Sequence, residues 1–164
     1  MPESRPPLRS DEILRRLTAR GVDFVVIGGI AAVLHGSAQN TFDLDICFAT
    51  DQGNLEALGE VLIGLGPRLK GVEDKLPFTP DGRMLRGIEV LTMVTELGEL
   101  DVLARPVGSP GYDALRRDAD RFDLGGFSVL VASIEDLIAM KLAAGRKKDL
   151  AAVEELEAIQ QLRG

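Results

Sequence analysis

The chain is nearly devoid of the residues on which several common chemistries depend. Its 164 residues include no tryptophan, one tyrosine, one histidine and one cysteine. A single cysteine, Cys47, excludes an intrachain disulfide and any thiolate-rich zinc centre. The lone His35 has no ligand partners at zinc spacing, and no G-x-S-x-G elbow is present to announce a serine hydrolase. Positive charge is in deficit too, with 19 Lys+Arg against 26 Asp+Glu for a formal net charge of −7. That balance argues against a broad grip on nucleic acid or on an anionic membrane surface. Long apolar runs are also missing. The longest, Phe24 to Leu34, spans 11 residues, well short of the roughly 20 that a membrane span needs. The opening MPESRPPLRS has no apolar signal core. These absences predict a cytoplasmic protein with no membrane partner. An apolar share of 45% excludes intrinsic disorder, and the length fits one domain.

What is present reads as helices interleaved with strands. Residues 1–9 carry three prolines and two arginines and predict a short flexible lead, leaving 10–164 as a single domain. Ser10 caps a helix with Ile13, Leu14 and Leu17 on one face, stopped at Gly21. Phe24 to Ile27 is a β-branched and aromatic run, hence a buried strand. A short helix from Ile30 to Leu34 follows Gly28 and Gly29, and Asp43 to Phe48 alternates acid with apolar residues at strand spacing. Helical spacing returns at Leu55, Leu58, Leu62 and Leu65, whereas residues 66–82 are turn-rich and hard to assign. Glu89 to Val94 and Leu100 to Leu103 form a hairpin, and Tyr112, Leu115, Ala119 and Phe122 mark another helical face. Phe127 to Val131 is a strand. Ser133 opens a helix to about Ala144, and Asp149 caps a last helix from Leu150 to Leu162. The expected fold class is α/β (α+β), with a mixed β-sheet flanked by helices.

Four features carry chemistry. Asp43 and Asp45, at i and i+2 in a strand, point to one sheet face. Two carboxylates that close repel unless a cation lies between them, and an all-oxygen donor set suits magnesium. On an exposed edge strand the same pattern would be polar residues facing water. Gly28-Gly29 between a buried strand and a helix lets backbone approach an anion, although alone it reads as a tight turn. Asp101 would complete a three-carboxylate cluster if its strand lies beside the first. Glu99, nearer the turn, reads as an exposed hairpin residue. The segment Lys141 to Lys148 is the one concentrated basic patch. Lys141 stands inside the apolar stretch Leu137-Ile138-Ala139-Met140, where a lysine implies a partner. His35 reads as structural or as a polar group at the site rim, and Cys47 as a packed thiol.

The order of these features is more specific than any one of them. VVIGG, thirteen residues, DLDI and a later LDV together resemble the nucleotidyltransferase superfamily built on the DNA polymerase β-like core. GGIAAVLHGSAQNTFDLDI and the tail IEDLIAMKLAAGRKKDLAAVEEL are similar to the small bacterial branch of AbiEii-type and minimal nucleotidyltransferases of toxin–antitoxin systems. The resemblance implies a Mg2+-dependent (or Mn2+-dependent) nucleotidyltransferase using a nucleoside triphosphate. Asp43, Asp45 and Asp101 would be metal ligands and catalytic groups, with Asp101 as base for the incoming hydroxyl. Gly28, Gly29, Ser37, Lys141, Arg146 and Asp149 would form the nucleotide-binding set. The acceptor would be a protein side chain, a small molecule or a tRNA end, the last disfavoured by net charge. The alternative is a non-catalytic protein of the same fold, acting with a cognate toxin or antitoxin partner. One departure stands out. The second glycine position is often serine in the family, and here it is Gly29.

Overall fold

A computed structural model describes residues 6–71 and 78–163. Residues 1–5 of the expected lead and part of the unassigned 66–82 segment lie outside that range. The elements in chain order are α1 (Ser10–Ala19), β1 (Phe24–Ile27), α2 (Gly28–His35), β2 (Asp43–Phe48), α3 (Gln52–Gly64), β3 (Arg68–Leu69) and α4 (Gly82–Leu85). Then follow β4 (Val90–Thr95), β5 (Gly98–Leu103), α5 (Tyr112–Asp118), β6 (Asp120–Asp123), β7 (Ser128–Val131), α6 (Ile134–Ala144) and α7 (Lys147–Leu162).

The strands form one sheet in the order β3-β4-β5-β2-β1-β7-β6. It is mixed, as expected. β2 pairs antiparallel with β1 and parallel with β5, and β1 pairs parallel with β7. All four residues of β1 are buried, which the β-branched run required. On β2 the residues Leu44, Ile46 and Phe48 are fully buried. Each such side chain contributes about 1.5–3 kcal/mol when taken from water. Alternation then sends Asp43, Asp45 and Cys47 to the opposite face. Cys47 is closed off there, its Sγ donating to the Ala104 carbonyl at 3.6 Å, and burial pushes its thiol up to about 12. A packed, unreactive thiol fits both facts.

Several local readings shift. Ser10 is the first residue of α1 and caps nothing with its side chain; Arg9 is the cap residue, and its backbone N–H donates to the Leu97 carbonyl at 2.8 Å. The lead therefore ends docked on the β4–β5 turn. Helix α2 begins at Gly28, so both glycines belong to its first turn. Phe122 is on a strand, because β6 pairs with β7 around the Gly125-Gly126 turn and tertiary pairing overrides the helical spacing. Ser133 caps α6 as expected, accepting from Asp136 N–H at 3.1 Å. Helix α7 starts at Lys147, so Asp149 is its third residue, with Arg146 before it as the cap position.

Candidate active site

The parallel pairing of β2 with β5 sets Asp45 opposite Asp101 and Asp43 opposite Glu99. Partners across a parallel pair project to the same face. One carboxylate oxygen from each of Asp43, Asp45 and Asp101 accordingly lies within 4.8 Å of the other two, the one such group of three among the described residues. All three are half-buried. Glu99 does not join them. It is buried rather than exposed, and its Oε1 stands 3.7 Å from Lys70 Nζ.

The cluster is electrostatically unbalanced as it stands. Burial, then the neighbouring Asp43 charge, pushes the Asp45 carboxyl up to about 9. Asp101 is also raised, chiefly by burial, with Lys70 pulling the other way. Asp101 Oδ1 is buried without a hydrogen-bond partner. An orphaned carboxylate oxygen and an all-oxygen donor set are what a hard divalent cation requires. Oxygens on opposite sides of one magnesium lie about 4.2 Å apart, so a set spread to this extent can grip one ion or flank a pair. The residues fit the metal.

Helix α2 brings its N-terminus to the same place. No side chain caps it, so its first-turn N–H groups are left for water or a ligand. Gly28 adopts φ +70°, and a Cβ there would overlap Asp45 Oδ2. A Cβ on Gly29 would lie 2.6 Å from Thr41 Oγ1. The departure at position 29 thus has a local cause: the Thr41 side chain, held by donation to the Asp43 carbonyl at 3.1 Å, occupies the space a serine would need.

From the triad a cleft of about 600 Å3 runs between the loop after α2 and helix α7. Its walls include Gly29, Ser37, Thr41, Lys70, Lys141, Arg146, Lys148, Asp149 and Glu155. Phe42, 73% exposed, stands at the rim. Of the sequence-predicted residues, Gly29, Ser37, Asp43, Asp45, Asp101, Lys141, Arg146 and Asp149 line this one cleft. Gly28 lines a smaller pocket adjoining it.

Asp149 is fully buried beneath the cations. Arg146 donates to it from Nε at 2.6 Å, from Nη2 at 3.2 Å and from its backbone N–H at 3.1 Å. Lys141 Nζ lies 3.6 Å away. The Arg146 hydrogen bonds hold the Asp149 carboxyl below the usual range. One buried anion thereby fixes two cations at the cleft wall. Ser37 is engaged as well, its hydroxyl donating to Glu155 Oε1 at 2.5 Å, while Glu155 Oε2 accepts from Ala38 N–H at 3.1 Å. That clamp ties the loop to α7.

His35 lies outside the cleft lining. Its Nε2–H donates to the Ala132 carbonyl at 2.8 Å, which leaves Nδ1 to accept from Arg163 at 2.8 Å. Its role is structural. Sequence reasoning missed Thr41, Lys70 and Glu155. Lys70 fell in the unassigned turn-rich segment. Glu155, seven residues beyond Lys148 and so on the same side of α7, was the one with a usable signal.

No family model and no curated protein matches the sequence. Solved structures are similar in fold. The lincosamide antibiotic adenylyltransferase LnuA, solved with lincomycin bound, superposes with a TM-score of 0.63 at 17% identity, covering 94% of this chain and 99% of its own. An antigenic nucleotidyltransferase-like protein from Paracoccidioides brasiliensis gives 0.58 at 20% identity, covering 95% and 78%. ANT(2″)-Ia in complex with adenylyl-2″-tobramycin gives 0.55 at 16% identity, with 93% of each chain covered. The chain has the nucleotidyltransferase fold. Among the described residues, no helix is long and apolar enough to cross a membrane.

Proposed function

We propose that this protein moves a nucleoside monophosphate from a nucleoside triphosphate to a hydroxyl acceptor, releasing pyrophosphate. The observation that carries the reading is the convergence of Asp43, Asp45 and Asp101 at the mouth of a cleft walled by Lys141, Arg146 and Lys148. A carboxylate trio beside a cationic wall is matched to a metal-bound polyphosphate.

Asp43, Asp45 and Asp101 would hold divalent cations, magnesium or manganese, and the two-ion arrangement uses all three. When bound, the metal supplies charge neutralisation at the transferring phosphoryl group and at the attacking and leaving oxygens. The chain's own groups do the rest. The first-turn N–H groups of α2 would face the phosphates, Gly29 from the cleft and Gly28 from its junction with the adjoining pocket, and Lys141, Arg146 and Lys148 neutralise the departing pyrophosphate. Ser37 closes the cleft wall through Glu155. Asp149 holds Lys141 and Arg146 in place. Asp101, on β5 opposite Asp45, receives the hydroxyl proton.

Titration calorimetry with magnesium and each nucleoside triphosphate, followed by a pyrophosphate-release assay, tests the reading. Binding that disappears in Asp45→Asn is expected. No binding by the wild type would overturn it. The resemblance of the DLDI segment and the C-terminal tail to the AbiEii-type branch supports a partner in a toxin–antitoxin pair. A chain that binds triphosphate tightly yet releases no pyrophosphate with any acceptor would be the binding member of such a pair.

A further inference from the structure

A second, smaller pocket of about 210 Å3 opens off the triad. Its walls are the apolar residues Ile27, Leu103, Pro106, Val107, Leu137, Met140 and Ala144 with Gly28 at the N-terminus of α2, and it meets the cleft at Asp45, Asp101, Lys141, Arg146 and Asp149. The register explains the apolar floor. Ile27 pairs with Asp45 across β1 and β2, and Leu103 follows Asp101 by two residues on the same face of β5. Val107, 71% exposed, makes an apolar lip.

The two compartments divide the acids and the cations unequally. Asp43, Lys148 and Gly29 line the cleft alone, whereas Asp45 and Asp101 border both spaces. In an in-line displacement the entering and leaving oxygens stand on opposite sides of phosphorus. The leaving pyrophosphate needs the Lys148 and Gly29 side, and the cleft has the volume usual for a whole ligand of nucleotide size. The hydroxyl then enters from the apolar pocket, where Asp101 meets it.

Resting on the proposed nucleotidyl transfer, we infer that the acceptor is an uncharged alcohol or phenol whose hydroxyl stands on a compact apolar group lodged in this pocket. Beyond its mouth the lining side chains offer no strong hydrogen-bond partner. A polyol or an ammonium there would lose most of its hydration, with only the Gly28 backbone and the charged groups at the mouth to replace it. At about 30 Å3 per water, the space amounts to roughly seven waters, room for one substituted six-membered ring. The acceptor oxygen forms the new bond to the α-phosphorus as the α–β bridging P–O bond breaks. The bond pair leaves with pyrophosphate, and the hydroxyl proton passes to the Asp101 carboxylate and on to water.

The test uses the full chain with magnesium and an equimolar mixture of ATP, GTP, CTP and UTP. Pyrophosphate release is followed on adding p-cresol, benzyl alcohol, cyclohexylmethanol, glycerol or glucose at equal concentration. At least one cyclic alcohol is expected to raise release tenfold or more, with glycerol and glucose inert. Val107→Trp, plugging the lip, should abolish that rise while triphosphate affinity stays within twofold. Should its urea midpoint fall, Ala144→Phe, at the exposed end of α6 and on the pocket wall, is read instead. Three results overturn the inference: no cyclic alcohol accelerates release, glycerol or glucose does so equally, or the plugged variant loses triphosphate affinity tenfold while inorganic tripolyphosphate binds unchanged. The last would assign the pocket to the nucleobase. A wild type that binds neither triphosphate nor tripolyphosphate removes the nucleotidyl-transfer reading itself.

Discussion

Gly28 owes its missing side chain to Asp45. A Cβ at position 28 would overlap the Asp45 carboxylate, and the backbone there already sits at φ +70°. The glycine is thus part of the acidic site. Gly28→Ala is expected to destabilise the fold by about 2 kcal/mol or more, combining positive-φ strain with displacement of Asp45. Gly125→Ala is the control. It shares a positive φ of +85° but has nothing within 4 Å of the added methyl. Urea midpoints of the two variants, with magnesium-dependent triphosphate binding measured on each, separate strain from site damage. Equal midpoint losses and unimpaired binding in Gly28→Ala would refute the relationship.

Asp45 also sets a pH dependence for the metal-free protein. With its folded-state carboxyl at about 9 and an ordinary value of 3.8, the native state keeps a proton that the unfolded chain has lost. The contribution is fully present below about pH 4 and is lost as pH rises toward 9. Stability measured in chelator should therefore decline across that window, and Asp45→Asn should flatten the decline. Magnesium should reverse the penalty by mass action and raise the melting temperature in wild type but not in Asp43→Asn/Asp45→Asn. A metal-induced rise that survives the double substitution would place the ions elsewhere.

The acids were legible because strand period and strand identity were. Asp43 to Phe48 reads as a strand from alternation alone, and a period of two fixes the shared face of its aspartates. That Asp101 faces them depends on β5 pairing parallel to β2 in a register that puts it opposite Asp45. No local pattern encodes that register. The edge strand β6 was hidden for a related reason. Its residues Asp120 to Asp123 carry helical spacing with α5, and only pairing with β7 makes them a strand. Thr41 was invisible because its role is to fill space over Gly29, a contact between loop and helix that spacing does not express.

Asn54 gives a stability test unconnected with the site. Its amide accepts from Asp23 N–H at 2.7 Å and donates to the carbonyls of Asp23 and Ala49 at 3.0 and 2.7 Å. It thereby pins α3 to the start of β1 and the end of β2. Asn54→Ala leaves an orphaned N–H and an orphaned carbonyl around a buried gap, for a cost of about 2–3 kcal/mol. Denaturant titration should show that loss with triphosphate affinity retained in the folded fraction. A change under about 0.5 kcal/mol, the range of an ordinary surface substitution, would contradict the pinning role.

Lys141 and Arg146 share Asp149, and that sharing separates their roles. Asp149 is fully buried, so an unpaired charge there would be costly, but Arg146 alone already satisfies both its oxygens. Lys141 is 27% exposed at its side chain and stands at 3.6 Å, too far for a strong hydrogen bond to the carboxylate. Lys141→Met therefore keeps the apolar stem and should cost under about 1 kcal/mol in urea. Triphosphate affinity should fall tenfold or more, because Lys141 lines the cleft beside the triad and supplies one of its cations. Asp149→Asn should do the opposite in emphasis, lowering stability first by removing the charge that anchors Arg146. The acid limb of the wild type carries the same signature. The Asp149 carboxyl is depressed in the folded state, so its stabilisation is present above about pH 4 and is lost as pH falls further. Paired measurements of urea midpoint and triphosphate affinity on both variants, with the wild-type midpoint followed down to pH 3, check all of this. A large stability loss in Lys141→Met with affinity unchanged would make the lysine a structural partner of Asp149 and remove it from the nucleotide site.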